Sequence, residues 1–380
     1  MSSAPQPAPI RPGLGRRAGE FWQRVSEGRQ VDELWSQFSA DARSSYDFYS
    51  RELDWEELRS APRWKRPLRI AWALFQTMLM KLSAARRILL LAAMVLLLLS
   101  GMDFRYGDSG SARIDFRFLA CGTLFVLLAL ELGDKVTMKR DLEIAREIQN
   151  WLLPSTPPEV PGAEIAFAGR PQNTVAGDYY DAFYPAASVG KLLLVIADVA
   201  GKSVPAALLM ATFQASLHTI ASTGAPLLEM VAQLNGYACA HSLGGMRFTT
   251  AVLALYNPAD RSLEYVNAGH NPPLLRRADG HLESLAAGGL PLGILPETQY
   301  ESARIALHPG DLTILYTDGA IEAFNAEGAE FGNDRWMAAV RSLSQGSAES
   351  MLGFLFRQLD EFTAGTRQSD DITCLVFRSK

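Results

Sequence analysis

KLLLVIADVAGKS (Lys191–Ser203) is the stretch on which the reading of this chain turns. The apolar residues LLLVIA run without interruption into Asp198, and Gly201 follows three residues on. A short, continuous apolar run closed by a turn signal is the pattern of a strand buried on both faces, so its acid sits where a packed sheet ends. The arrangement recurs. DLTILYTDGAIEA (Asp311–Ala323) ends a second apolar strand in Asp318-Gly319, VAGDYYD (Val175–Asp181) places Asp178 at the opening of another, and QSDDITCLVF (Gln368–Phe377) places Asp370 and Asp371 just before the last.

One Asp at a strand end is ordinarily a turn residue. Several, each at the tip of a buried strand, converge wherever the strands gather, and partly buried anions brought together repel unless something opposes them. A hard divalent cation does so, and carboxylates with water suit Mg²⁺ or Mn²⁺ rather than zinc. The three cysteines (Cys121, Cys239, Cys374) and five histidines show no HExxH or CxxC spacing. Two such ions bridged by Asp198 would hold a water for in-line attack on a phosphoryl group. That chemistry needs no cysteine nucleophile and no phosphoenzyme, so Cys239 and Cys374 read as core residues.

Around these motifs lie further β-type runs, EIAFAG, TTAVLALY and LEYVNA, with helical segments at about 204–222, 225–242 and, in two pieces, 333–362. Strands neighbour strands as well as helices, which points to α+β with antiparallel sheets covered by helices, not strict βαβ alternation. No internal repeat is visible.

Toward the N-terminus the composition changes. Residues 1–18 are rich in Pro, Ala, Gly and Arg and read as a disordered tail. Residues 19–66 read as a helical region of unknown role, carrying Phe21, Trp22, Trp35, Tyr46, Phe48 and Trp55. Residues 67–133 read as an apolar helical hairpin: 88–102 and 118–130 hold no charge, and Arg86, Arg87, Arg117 and Glu131 flank them as residues able to snorkel to headgroups. A membrane hairpin is favoured over a buried soluble one. Basic residues before the first run and after the second (Lys135, Lys139, Arg140) put both termini in the cytoplasm. Residues 134–153 read as a linker helix with Leu142, Ala145, Ile148 and Leu152 close to one stripe, either a dimerising signalling linker, which is favoured, or a helix packed on the next domain, and Pro154 ends it. The remaining 154–380 carries the strand-tip acids.

With 36 Lys and Arg against 41 Asp and Glu among 380 residues, the net charge of -5 gives no reason to expect nucleic acid as a partner. Hydrophobic residues at 48% exclude a disordered chain. The scattered, odd cysteine set suits a reducing compartment, and no cleavable signal peptide is expected.

The series AxxIQxxLLP (Ala145–Pro154), VAGDYYD, ADVAGKSVPAALLMA (Ala197–Ala211), NAGHNPP (Asn267–Pro273), LPLGI (Leu290–Ile294), LYTDGAIEA and DDIT resembles the metal-dependent type 2C protein phosphatases. Within them it is similar to the bacterial branch typified by stage II sporulation protein E and the stress-response phosphatases. The resemblance covers about residues 142–378. It implies an αββα sandwich with a dinuclear Mn²⁺/Mg²⁺ centre at one edge of the paired sheets. It further implies hydrolysis of phosphoserine or phosphothreonine on an anti-sigma-factor antagonist (a STAS domain). The hairpin and its basic flanks, outside the resemblance, put that domain on the cytoplasmic side of a bacterial inner membrane. Carried over by residue, Asp198 would bridge the metals and the Val199 carbonyl would be a further ligand. Asp318 and Asp370 would hold one ion, with Asp371 replacing Asp370 if the register shifts by one, and Asp178 would stand nearby as a metal ligand, directly or through water. Arg170 is a candidate phosphate contact.

The chain departs from the branch at Ala176, where a glycine is usual, and at Ser203, where a second glycine is usual. Ala200 lies where eukaryotic members often carry a leaving-group histidine, so no side chain is named as general acid. His270, Asn267, Pro272, Thr249 and Thr250 read as structural, Lys202 as a solvated lysine or a phosphate contact, and Glu322 as a helix cap or a support to the ligands. The alternative of another class is a phosphatase-fold module that signals by partner binding alone.

Overall fold

The computed structural model describes residues 65–100, 103–105, 111–113, 115–188, 190–241, 247–286 and 288–380, together with Trp35, Tyr46, Ser50, Leu53 and Pro62. The tail 1–18 lies outside the described residues, as does nearly all of 19–66. The chain divides into two compact units, Met1–Asp134 and Lys135–Lys380.

In the first unit, Pro67 in the opening turn starts α1 (Arg66–Lys81), as a residue without an N–H does well there. α2 (Ala84–Leu99) follows, then an antiparallel hairpin of β1 (Asp103–Arg105) and β2 (Ser111–Arg113). The apolar run 118–130 does not stop at the expected linker. It continues as one helix, α3 (Arg117–Leu152), because nothing between them but Gly133 lowers helix propensity. Arg86 of α2 pairs with Glu131 at 2.9 Å and with Asp134 at 2.7 Å. α2, with 16 residues, is about 24 Å long, shorter than a hydrocarbon core of about 30 Å, and the structure does not show a two-span region. Among the described residues, the one helix long and apolar enough to cross a membrane is Ser203–Ala221, and it is packed on a sheet of the second unit.

That second unit is an αββα sandwich. One antiparallel sheet has the order β10 (Ala303–Ala306), β7 (Ser262–Ala268), β6 (Thr249–Asn257), β5 (Leu192–Val199), β4 (Tyr179–Phe183). The other runs β3 (Ala163–Arg170), β12 (Ile372–Ser379), β11 (Leu312–Tyr316), β8 (Leu274–Arg276), β9 (Leu282–Ser284). Period-2 alternation sorts the strands' apolar residues into layers. On β5, Leu193, Val195, Ala197 and Val199 face α4 (Ser203–Ala221) and α5 (Leu227–Ala240), packing on Met210, Leu217, Met230 and Leu234. Leu192, Leu194 and Ile196 face the other sheet and meet Leu315, Leu375 and Phe377. The far side of that sheet is covered by α6 (Gly332–Arg341) and α7 (Ala348–Thr363) through Trp336, Leu355 and Leu359.

The same alternation sends Asp198 and Asp178 into the space between the sheets at one end. The α+β expectation holds, as does the strand and helix placement from 163 onward. Cys374 is buried in the core as expected, while Cys239 is half-buried and Cys121 exposed.

Candidate metal centre

At one end of the sandwich the tips of β4, β5, β11 and β12 come together. Asp178 precedes β4 and is almost fully buried, and its Oδ2 accepts from Thr317 Oγ1 at 2.9 Å and Thr373 Oγ1 at 2.6 Å. Both hydroxyls belong to the opposite sheet, so this one carboxylate joins the two layers. A buried acid holding two hydroxyl donors is partly compensated, yet burial and the neighbouring Asp198 still push its pKa well above the carboxylate range.

Asp198 ends β5. Burial first, then the charges of Asp318, Asp370 and Asp371, raise it to about 7, against a smaller opposing pull from Lys202. Asp318 opens a single 3₁₀ turn (Asp318–Ala320) directly after β11, and it too is raised, by burial and by Asp370. Glu322, one turn further on, is raised by burial and by Asp318 and Asp370, so it faces the same cluster. Sequence reading placed Asp178, Asp198, Asp318, Asp370 and Asp371 here, and each of these acids perturbs or is perturbed by others of the group.

The two carboxylates of DDIT do different work. Asp371 accepts from the backbone N–H of Gln172 at 2.7 Å and of Gly177 at 2.6 Å, which ties the loop before β4 to the start of β12. Asp370 pairs with Lys202 at 2.8 Å, and the same ammonium donates to Ser369 O at 2.9 Å. Lys202 is thus the cation of the cluster and not simply a solvated lysine.

Backbone approach is close throughout. A Cβ on Gly319 would stand 1.9 Å from Asp371 O, and one on Gly177 would stand 3.1 Å from Val199 O. Gly201 has φ 121° and carries the chain under the Arg247 side chain. Ser203 keeps a left-handed φ of 63°. The backbone has therefore kept the conformation that glycine favours, and serine adopts it under strain.

Arg170 lies elsewhere in its bonding. Both of its terminal nitrogens pair with the Asp360 carboxylate, and its guanidinium lies over the Phe356 ring at 4.6 Å from the centroid. His270 is held by Asn267, which accepts from His270 N at 2.7 Å and donates to His270 O at 3.0 Å, and by Thr250 at 2.7 Å. Burial lowers its pKa to about 4. These bonds hold the Asn267–His270 turn together. Asp181, two strand positions beyond Tyr179, points to the helix side and meets Tyr179 and His218 at 2.7 and 2.8 Å.

Sequence reasoning assigned no role to Thr317, Thr373 or Gln149. The Gln149 side chain donates to Ala176 O at 2.8 Å and accepts from Ala176 N at 2.9 Å. The inward stripe of α3 is Leu142, Ala145, Gln149 and Leu152, while Ile148 points outward and is 56% exposed.

The donor set fits hard divalent ions: carboxylate oxygens with a backbone carbonyl, and carboxylates that raise one another's proton affinity and so gain from added positive charge. Among the described residues no three acidic, His or Cys side chains already surround one point. Asp371 and Asp178 are engaged by backbone amides and threonines, and Asp370 by Lys202.

A model of the Stage II sporulation protein E family matches residues 188–380. Over 249 residues the chain is 27% identical to phosphoserine phosphatase RsbU of Bacillus subtilis, covering 65% of this chain and 72% of RsbU. Over 280 residues it is 27% identical to protein IcfG of Synechocystis, covering 67% of this chain but 44% of IcfG's length. Its fold superposes on the SiaA PP2C domain of Pseudomonas aeruginosa with TM-score 0.56 at 23% identity, covering 65% of this chain and 99% of that domain. The RsbU and RsbW domains of a Mycobacterium tuberculosis protein match with TM-score 0.51 at 26% identity, over 60% and 63% of the respective chains. The matched span takes in Asp198, Asp318, Asp370 and Asp371 and begins beyond β4, so sequence and architecture agree: the chain belongs to the Stage II sporulation protein E (SpoIIE) family.

Proposed function

We propose that this chain is a metal-dependent protein phosphatase that hydrolyses phosphoserine or phosphothreonine. The observation that carries the reading is the convergence of strand-tip acids on Asp198, a half-buried carboxylate raised to about 7 by desolvation and by the charges of Asp318, Asp370 and Asp371. Such a cluster is destabilising by itself and becomes favourable around cations. Asp198, the Val199 carbonyl, Asp318 and Asp370 would hold two Mn²⁺ or Mg²⁺ ions, with Asp178 beside them and Asp371 fixing the loop. Bound there, such ions would supply Lewis-acid neutralisation of the phosphoryl group and would lower the pKa of an attacking water. Thr317 and Thr373 keep Asp178 in place, and Gly177 and Gly319 let the backbone close on the acids. Lys202 stands beside Asp370, where its ammonium can meet a phosphate oxygen. Ala200 can move no proton and no side chain is named as general acid, so a water would protonate the leaving alkoxide.

The phosphorylated partner we assign by likeness to RsbU is a STAS-type anti-sigma-factor antagonist. The exposed apolar side chains of α2 and α3, such as Leu98 at 76% and Phe118 at 87%, support tethering to a bacterial cytoplasmic membrane. The outward Ile144, Ile148 and Trp151 of α3, spaced four and three residues apart, support a homodimer through that helix.

With Mn²⁺, the full chain in detergent should hydrolyse p-nitrophenyl phosphate, and Asp198→Ala should lower the rate at least about a hundredfold. Equal rates in the two proteins, or no hydrolysis with any divalent ion, overturn the reading.

A further inference from the structure

The three residues Ala176, Gly177 and Asp178 are fixed from three directions. Gly177 N–H donates to Asp371 Oδ2, and the Asp178 carboxylate takes Thr317 and Thr373. The third hold comes from outside both sheets. Gln149, near the end of α3, presents its carboxamide edge-on to Ala176 and makes two hydrogen bonds with one peptide residue, accepting from its N–H at 2.9 Å and donating to its C=O at 2.8 Å. Gln149 and Ala176 are both buried, so neither partner has water as a ready substitute. A glutamine amide is a peptide group on a short stem, and here it pairs with the backbone as a neighbouring strand would.

The consequence lies in the residues that follow. Asp178, two residues after Ala176, is the acid that joins the sheets, and Gly177 between them donates its N–H to Asp371. A displaced Ala176 therefore carries Gly177 and Asp178 with it, because they follow it directly in the chain. Just past the end of α3, Leu153 packs against the helix-side core. Gln149 thus links the seating of α3 to the position of the Asp178 carboxylate and of the loop that Asp371 holds.

We propose that Gln149 is a positioning residue for the metal centre: its paired hydrogen bonds to Ala176 set the affinity for divalent cations, without touching cation or substrate. The inference rests on the divalent-cation reading above and deepens it by naming what tunes the site.

Calorimetric titration of the full chain in detergent with Mn²⁺ tests this. Gln149→Leu keeps the side-chain shape and removes both bonds. The account expects its Mn²⁺ Kd to weaken at least tenfold, with the hydrolysis rate recovered toward that of the unmodified chain at saturating Mn²⁺. Gln149→Glu keeps an acceptor for Ala176 N–H and loses the donor to Ala176 O, so its Kd should fall between the two. It also serves if the leucine variant does not melt cooperatively. Val231→Ala in α5, a core truncation away from the loop, controls for stability: its melting temperature should drop with the Mn²⁺ Kd unchanged. A purely structural role for Gln149 would give the Val231→Ala pattern, and a Kd within twofold in Gln149→Leu or Gln149→Glu overturns the proposal. If the unmodified chain binds no Mn²⁺ at all, the metal reading falls and takes this inference with it. Binding that is normal in both glutamine variants removes the inference alone.

Discussion

Ser203 carries a left-handed φ of 63° at the first position of α4, a conformation that glycine adopts more readily. A Cβ in that region costs about 1–2 kcal/mol, so Ser203→Gly should raise stability by about 1 kcal/mol in chemical denaturation. The same logic runs the other way at Gly319. An added Cβ would lie 1.9 Å from Asp371 O, a backbone atom that cannot turn aside. Gly319→Ala should cost more than about 2 kcal/mol and depress hydrolysis, because the displaced segment is the one that carries Asp370. Asp198 supplies a pH signature. Its folded pKa of about 7 lies above the unfolded value, so the folded state holds a proton that the unfolded chain releases. The metal-free protein therefore loses stability as pH rises from about 4 to about 7 through this group. Asp198→Asn should be more stable than the unmodified chain at pH 8 by about 2 kcal/mol, with the difference shrinking toward pH 4, as followed by thermal melts in chelator. A variant less stable at pH 8 would contradict the electrostatics. These acids were legible because each ends an apolar run. Thr317 and Thr373 were not, since their partner Asp178 lies 139 and 195 residues away and only the packed sheets bring them to it.

Among the elements, the long strands declared themselves through runs such as LLLVIA and LTILY. The strands Leu274–Arg276, Leu282–Ser284 and Ala303–Ala306 did not, because three or four residues are too few to show a period of 2. In α3, hydrophobicity suggested a stripe through Ile148. The packed stripe instead passes through polar Gln149, one position on, because the backbone of Ala176 there needs a donor and an acceptor. Ile148 is left on the outer face with Ile144 and Trp151. If that face pairs two copies, Ile148→Asp should convert a dimer into a monomer in sedimentation velocity while the melt of the phosphatase unit stays cooperative. A dimer of unchanged strength would remove the helix from the interface.

On the scale of the molecule, an acidic chain of net charge -5 carries in its N-terminal unit helices with large exposed apolar side chains, among them Trp72, Leu98, Phe118 and Phe125. Water is a poor solvent for such a surface. The full chain should float with phospholipid vesicles on a density gradient and should need detergent when vesicles are absent. Recovery as a clear, dispersed species in plain buffer would argue against the tether. The C-terminal unit is built so that two sheets, each with its own helical cover, bring their acids to one edge, and that convergence is the foundation of the functional assignment. Anomalous diffraction from crystals of the full chain grown with Mn²⁺ at pH 8 tests it most directly. The account predicts two manganese peaks bounded by Asp198, Asp318, Asp370 and the Val199 carbonyl, both lost in Asp198→Ala. Manganese density that avoids Asp198, or that survives its removal, would contradict it.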